Sequence, residues 1–158
     1  MTALLILLIV VPWSIWRQMH ARPVTVNGLV KLPLIFAAAT AVFGLTGHMH
    51  TITSAEVIYN AACAVLAIAF GAWRGAHVSI WHEGDTAIQR GNHTTLTLWI
   101  AMIALKIALG TLAAVTGWIP AEGAAAVLGF FALTMAIQNL FVARRTLWAP
   151  RAPIGATA

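Results

Sequence analysis

The feature that most constrains this chain is a series of five long apolar stretches, which cover residues 2–16, 32–47, 56–73, 94–118 and 121–142. A membrane-spanning helix needs about 20 mostly apolar residues, with a range of about 17–25. Soluble domains carry about 25% charged residues, whereas this chain of 158 residues is 8% charged and 61% hydrophobic. The composition therefore excludes a soluble globular fold and predicts an all-α membrane protein with five transmembrane helices.

Basic residues occur in alternate connections between these stretches. Eight of the nine Lys and Arg residues lie between the first and second stretches, between the third and fourth, or after the fifth. The other two connections contain none. Because positively charged loops stay on the cytoplasmic side, this asymmetry predicts an N-out, C-in orientation. It also explains the net charge of +5, so we expect the lipid bilayer, and no nucleic acid, as a partner.

Local patterns predict helix ends and a hairpin. Pro33 and Pro120 suit the first turn of a helix, where a missing N–H costs nothing, and residues 53–56 have the sequence of a capping box. Residues 78–81 and 86–89 alternate between apolar and polar side chains around a turn with Gly84 near its centre. This pattern predicts a short cytoplasmic β-hairpin at residues 77–90. We expect residues 1–148 to form one helical bundle and residues 149–158 to be a mobile tail.

Small residues recur at helical spacing in the last four stretches, as they do where helices pack in lipid. The members are Ala37, Ala41 and Gly44; Asn60, Ala64, Ala67 and Gly71; Lys106, Gly110, Ala113 and Gly117; and Gly129, Ala132, Ala136 and Asn139. Three of these rows contain a strongly polar residue. Since polar groups in a membrane turn away from lipid, we expect the rows to face the bundle interior.

Lys106 is the main candidate for a binding residue, because it lies near the middle of the fourth stretch. A charge there costs about 2.5–3.5 kcal/mol on insertion scales, and the sequence places no carboxylate at its depth. Side chains lean toward the helix N-terminus, so we expect Lys106 to reach Thr134 and Gln138 rather than Glu56. Asn60 and Asn139 complete the predicted site. Lys106 is either a hydrated packing residue or a site for an anionic head group, a carboxylate substrate or a partner's acid.

A metal or haem site is the weaker alternative. His48 and His50, with Glu56 nearby, have side chains that ligate copper, and a histidine can ligate haem. Two histidines at i and i+2 do not face each other on a helix, so we predict no metal and no cofactor. The single Cys63 excludes an intrachain disulfide and a thiol relay. No nucleophile elbow, P-loop, HExxH or paired-carboxylate pattern occurs, and we expect the chain not to be an enzyme.

Several short motifs resemble the CcdC-like membrane proteins of bacteria. The resemblance covers most of the chain and lies in Arg22 and Pro23, in residues 74–81 (RGAHVSIW) and 83–85 (EGD), in Arg90 and Gly91, in residues 99–106, and in residues 138–145 (QNLFVARR). It implies a small multi-helix inner-membrane protein of unknown biochemical activity, whose family label comes from an association with cytochrome c biogenesis. The chain lacks the paired cysteines of a thiol relay and the CxxCH of haem attachment. No catalytic residues carry over.

Three functions remain open from the sequence. The first is a non-enzymatic accessory or assembly factor of the bacterial inner membrane, which binds another membrane protein or forms a homo-oligomer. The second is a binder or carrier of a small anion or lipid head group that uses Lys106. The third is an intramembrane metal or haem protein.

Overall fold

The computed structural model describes residues 12–13, 15–46, 53–84, 86–119 and 123–146. The first helix, α1, is described at residues 12–13 and 15–19. The other elements are β1 (Arg22–Pro23), α2 (Val26–Thr46), α3 (Ser54–His77), β2 (Ser79–Glu83), β3 (Thr86–Arg90), α4 (His93–Val115) and α5 (Ala124–Thr146). The helices α2 to α5 are each long and apolar enough to cross a membrane, as the sequence predicts for the last four spans. Most of the predicted first span, residues 2–16, lies outside the described residues, as does the predicted tail.

The helix α5 is the centre of the bundle, because it packs against both α2 and α3 while α4 packs against α3. Its contact with α3 is close. A Cβ atom added at Gly71 would lie 2.6 Å from the carbonyl oxygen of Thr134, and one added at Gly75 would lie 2.6 Å from Cβ of Phe141. Only glycine allows the two backbones to approach this closely, so these positions set the distance between α3 and α5.

The predicted hairpin is present as β2 and β3, which pair antiparallel from Ser79 opposite Arg90 to Glu83 opposite Thr86. Gly84 in the turn has a φ of +60°, a conformation that favours glycine. A third strand, β1, pairs with β3 and was not predicted. It extends the hairpin into a three-stranded sheet and ties the segment after α1 to the connection between α3 and α4.

The start of α3 follows its prediction, and the start of α2 does not. Thr53 Oγ1 accepts a hydrogen bond from the backbone N–H of Glu56, whose carboxylate accepts one from the N–H of Thr53. These two bonds form the predicted capping box. By contrast, α2 begins at Val26, six residues before the predicted start. Thr25 caps it there, because its hydroxyl accepts from the N–H of Gly28.

Pro33 is therefore inside α2 rather than in its first turn, and the prediction for this residue is wrong. Proline has no N–H to donate to the carbonyl four residues earlier, which is that of the buried Leu29. Asn139 of α5 supplies the missing donor, since its Nδ2 lies 2.5 Å from the Leu29 oxygen. Neighbouring helices in membranes often satisfy a carbonyl that proline leaves open. Pro120, the other predicted first-turn proline, lies outside the described residues.

The small-residue row of α2 is not buried as expected. Ala37, Ala41 and Gly44 are exposed, and α2 instead buries Leu29, Leu32 and Phe36. The larger side chains fill the space beside α5 and bury more apolar surface there, which makes their face the inner one.

We expect Asn139→Ala to lower the free energy of unfolding by about 1 kcal/mol, because it leaves the Leu29 carbonyl without a donor. Pro33→Ala restores a backbone N–H to that carbonyl. In the Pro33→Ala background, Asn139→Ala should therefore cost clearly less than in the natural chain. Thermal unfolding of the four variants in one detergent gives this coupling free energy. Additive effects of the two substitutions would contradict the interpretation.

Candidate functional site

Arg74 is the most buried charged residue of the described chain, with 0% of its side chain exposed. The sequence places it in a loop after the third span, but α3 continues to His77 and carries it into the interior. Its guanidinium carbon lies 3.8 Å from the centre of the Trp99 ring. Stacking of this kind contributes about 2 kcal/mol or more when the pair is removed from water.

The side-chain oxygen of Gln18 is the acceptor that brings this cluster together. It lies 3.1 Å from Arg74 Nη2, 3.1 Å from Trp99 Nε1 and 3.2 Å from Gln138 Nε2. Arg74 Nη2 also donates to the side-chain oxygen of Gln138, and Nη1 lies 3.9 Å from the sulfur of Met102. These residues come from α1, α3, α4 and α5. One buried network therefore joins four helices at the end of the bundle that carries the sheet. We refer to these residues, Gln18, Arg74, Trp99, Met102 and Gln138, as the Arg74 cluster.

All partners of Arg74 in the described chain are neutral. Its charge is met by two carboxamides, a thioether and an aromatic face, and its Nε has no partner there. A network of this composition has no nucleophile next to a base. Its hydrogen bonds hold four helices together.

Lys106 forms a second, separate polar centre. It is 6% exposed, and its Nζ lies 3.4 Å from both the hydroxyl of Tyr59 and the sulfur of Cys63. The same ammonium lies 5.0 Å from the centre of the Tyr59 ring and 5.3 Å from that of Phe130. These neighbours belong to α3 and α5, so Lys106 faces protein as the sequence predicts.

The direction of the Lys106 side chain differs from the prediction. It reaches Tyr59 and Cys63 instead of Thr134 and Gln138, whose polar groups are already used. The Thr134 hydroxyl donates to the carbonyl of Phe130 in its own helix, and Gln138 belongs to the Arg74 cluster. An ammonium group turns toward the nearest available hydroxyl and aromatic faces, which α3 supplies here.

The predicted site residues do not form one site. Gln138 lies in the Arg74 cluster, Thr134 is buried between the two polar centres, and Asn139 bonds to α2. Asn60 is exposed and donates to the carbonyl of Glu56 one turn earlier.

Of the residues of the alternative metal site, Glu56 alone lies within the described part of the chain. Glu56 caps α3, as described above, and His48 and His50 lie outside the described residues. Within the described ranges, no group of three or more His, Cys, Asp or Glu residues is placed to hold a metal ion.

Sequence reasoning missed Arg74 and Gln18, although one signal was present. The buried positions of α3 include Tyr59, Cys63, Ala67, Gly71 and Arg74. Successive positions are separated by four, four, four and three residues, so Arg74 lies on the same helix face as the other four. Extending that face beyond Trp73 would have placed Arg74 inside the bundle. No comparable pattern marks Gln18, whose partners are 56 to 120 residues away in sequence.

On the outside of the bundle, α2 and α5 form an apolar groove with a volume of about 850 Å³. Its lining consists mostly of small and aliphatic side chains, namely Val26, Leu29, Val30, Pro33, Leu34, Ala37, Gly129, Ala132, Leu133, Ala136, Leu140 and Ala143, together with Thr40 and Asn139. We refer to it as the α2/α5 groove.

Comparisons of this chain with protein-family models, with curated proteins and with solved structures found no match. The resemblance to the CcdC-like family stays a prediction from the sequence.

We expect Gln18→Leu to lower the free energy of unfolding by at least about 2 kcal/mol, because Arg74, Trp99 and Gln138 then share no acceptor. Asn60→Leu is a matched control, since it makes the same kind of change on the exposed face of α3. We expect the control to stay within about 0.5 kcal/mol of the natural chain. Unfolding in mixed micelles, followed by circular dichroism, measures both. Equal effects of the two substitutions would show that the Gln18 oxygen does not hold the cluster.

Proposed function

We propose that this chain is a non-enzymatic, multi-pass protein of the bacterial inner membrane that acts as an accessory or assembly factor. It binds a transmembrane helix of another membrane protein in the α2/α5 groove. The observation that carries the proposal is the groove itself, a long apolar depression on the outer face of two helices that are joined to each other by the bond from Asn139 to Leu29.

The lining of the groove suits a helix. Ala37, Gly129, Ala132 and Ala136 have little or no side chain, which lets the backbone of a second helix come close. The groove extends from Val26 to Thr40 along α2, which is about 21 Å at a rise of about 1.5 Å per residue. A partner helix would therefore make contact over much of the hydrocarbon core, which is about 30 Å thick.

The polar side chains of the Arg74 cluster support a role without catalysis. Its buried members Gln18, Arg74 and Gln138 include no histidine or carboxylate, the side chains that most often act as general acids and bases.

The orientation and location are part of the same proposal. The exposed residues Lys31, Arg90, Arg144 and Arg145 belong to the sheet or to the helix ends beside it. The positive-inside rule then places the sheet in the cytoplasm. The resemblance to CcdC-like proteins supports the bacterial inner membrane.

A photo-reactive amino acid at Ala37 tests the groove. We expect it to cross-link to a second membrane protein in intact cells. Ala136→Leu should abolish the cross-link, because the leucine side chain fills the groove from the exposed face of α5 and leaves the interior unchanged.

The control is Ala104→Leu, which adds the same bulk to an exposed position of α4 outside the groove. We expect it to retain the cross-link, with thermal stability close to that of the natural chain. A cross-link that survives Ala136→Leu, or that joins only two copies of this chain, would contradict the proposed partner helix.

A second function, the binding of a small anion or a lipid head group at Lys106, is favoured by a specific observation. Its ammonium lies 3.4 Å from a hydroxyl and from a thiol and beside two aromatic rings in the interior of the bundle. Ionisable side chains in this position of a membrane protein often belong to functional sites.

Lys106→Met separates a binding role from packing, because methionine keeps an unbranched chain of similar length and removes the charge. If Lys106 binds an anion, the variant should lose a bound small molecule that native mass spectrometry detects in the natural chain. Lys106→Arg should restore the binding only in part, since a planar guanidinium does not replace a compact ammonium. Unchanged binding with a higher unfolding temperature in the methionine variant would exclude this function.

A further inference from the structure

A second cavity, of about 370 Å³, lies at the sheet end of the bundle, between the end of α1, β1 and the first turn of α2. Its lining includes Trp16, Arg17, His20, Arg22, Thr25 and Gln89. None of the described residues that line it is Asp or Glu. Two arginines and a histidine therefore line a space with no carboxylate among its described walls. We refer to it as the basic cavity.

Arg22 is held in place at one wall of the basic cavity. The side-chain oxygen of Gln89 accepts from Nε and Nη2 of Arg22 at 3.1 Å each, in the amide orientation that satisfies both groups. Gln89 is itself 5% exposed. Burial lowers the pKa of Arg22, and the positive charge of Arg17 lowers it further. Each of these causes disfavours the charged guanidinium, and the attraction of an anion in the cavity would offset them.

The surroundings place the basic cavity at the boundary between water and lipid. Trp13 and Trp16 are 46% and 62% exposed, and the guanidinium of Arg17 lies 5.5 Å from the centre of the Trp13 ring. Exposed tryptophans are typical of the head-group region. Thr25 and Gly28 line the basic cavity, while the neighbouring Val26 and Leu29 line the α2/α5 groove. The first turn of α2 thus separates a cationic space from an apolar one.

We propose that the basic cavity binds the phosphate group of an anionic phospholipid from the leaflet on the sheet side. The planar guanidinium groups of Arg17 and Arg22 match the oxygens of a phosphate. The cavity also lies against the N-terminus of α2, a helix of 21 residues, whose dipole attracts an anion. The Trp side chains and the apolar surface beside the cavity favour a lipid over a soluble phosphate, because only a lipid has a tail to place there.

Native mass spectrometry of the full chain, released from bilayers of phosphatidylglycerol and phosphatidylcholine, tests the site. We expect the natural chain to retain phosphatidylglycerol in preference to phosphatidylcholine. Arg17→Gln should reduce this preference at least about tenfold, as expected for the loss of one charge-assisted hydrogen bond to the phosphate. The guanidinium of Arg17 contacts an exposed Trp ring, so the variant is expected to fold, and circular dichroism checks this. Arg17→Gln combined with Arg22→Gln should abolish the preference.

Arg144→Gln is the matched control, since it removes the same charge from an exposed position at the same end of the bundle. We expect it to retain phosphatidylglycerol like the natural chain. An equal loss of phosphatidylglycerol retention in Arg17→Gln and Arg144→Gln would show that the surface charge of the protein attracts the lipid in general. That result would overturn the proposed site. A further arm adds inorganic phosphate to lipid-free protein. Tight, Arg17-dependent binding of phosphate without retention of phosphatidylglycerol would assign the cavity to a soluble anion and overturn the lipid assignment.

Discussion

A guanidinium group buried without a carboxylate partner in the described chain is the interaction on which the sheet end of the bundle depends. Removing a cation from water costs several kcal/mol unless its hydrogen bonds are replaced. Arg74 donates replacement hydrogen bonds to Gln18 and Gln138 and stacks on the ring of Trp99, and these three residues lie on three other helices. The cost is therefore offset only when α1, α3, α4 and α5 are all in place. Because all four helices are required, the network is cooperative. It fixes the positions of the helix ends that lie next to the sheet.

The remaining helix, α2, is joined to this core by a second polar contact. Pro33 leaves the Leu29 carbonyl without its usual donor, and Asn139 of α5 provides one. The carbonyl that Pro33 leaves without a donor in α2 thus forms a specific hydrogen bond with α5, because a carbonyl inside a membrane has no water to bond with. Together with the close approach at Gly71 and Gly75, this contact makes α5 the element against which α2 and α3 are positioned.

The buried residues and the outer surfaces of this chain have different roles. The polar residues of the interior bond to one another, as in the Arg74 cluster, and hold helices together. The α2/α5 groove and the basic cavity lie on the outside of α2, one apolar and the other cationic. The proposed partner helix and the proposed lipid phosphate both bind on these outer surfaces, which the internal hydrogen bonds hold in place.

Composition and periodicity determined the helical class, the last four spans, the capping box at Thr53 and the hairpin, because each depends on residues close together in sequence. Lys106 was also placed correctly in the interior, since a charge in an apolar stretch turns from lipid. The partners of Arg74 and the strand β1 could not be predicted, because hydrogen bonds of the Arg74 cluster join residues 28 to 120 positions apart, and β1 pairs with residues 65 to 67 positions away. The direction of the Lys106 side chain and the bond from Asn139 to the Leu29 carbonyl depend on which neighbouring residues offer a hydrogen-bonding group. Only the tertiary structure determines which groups these are, because the packing of the helices brings each donor to its acceptor.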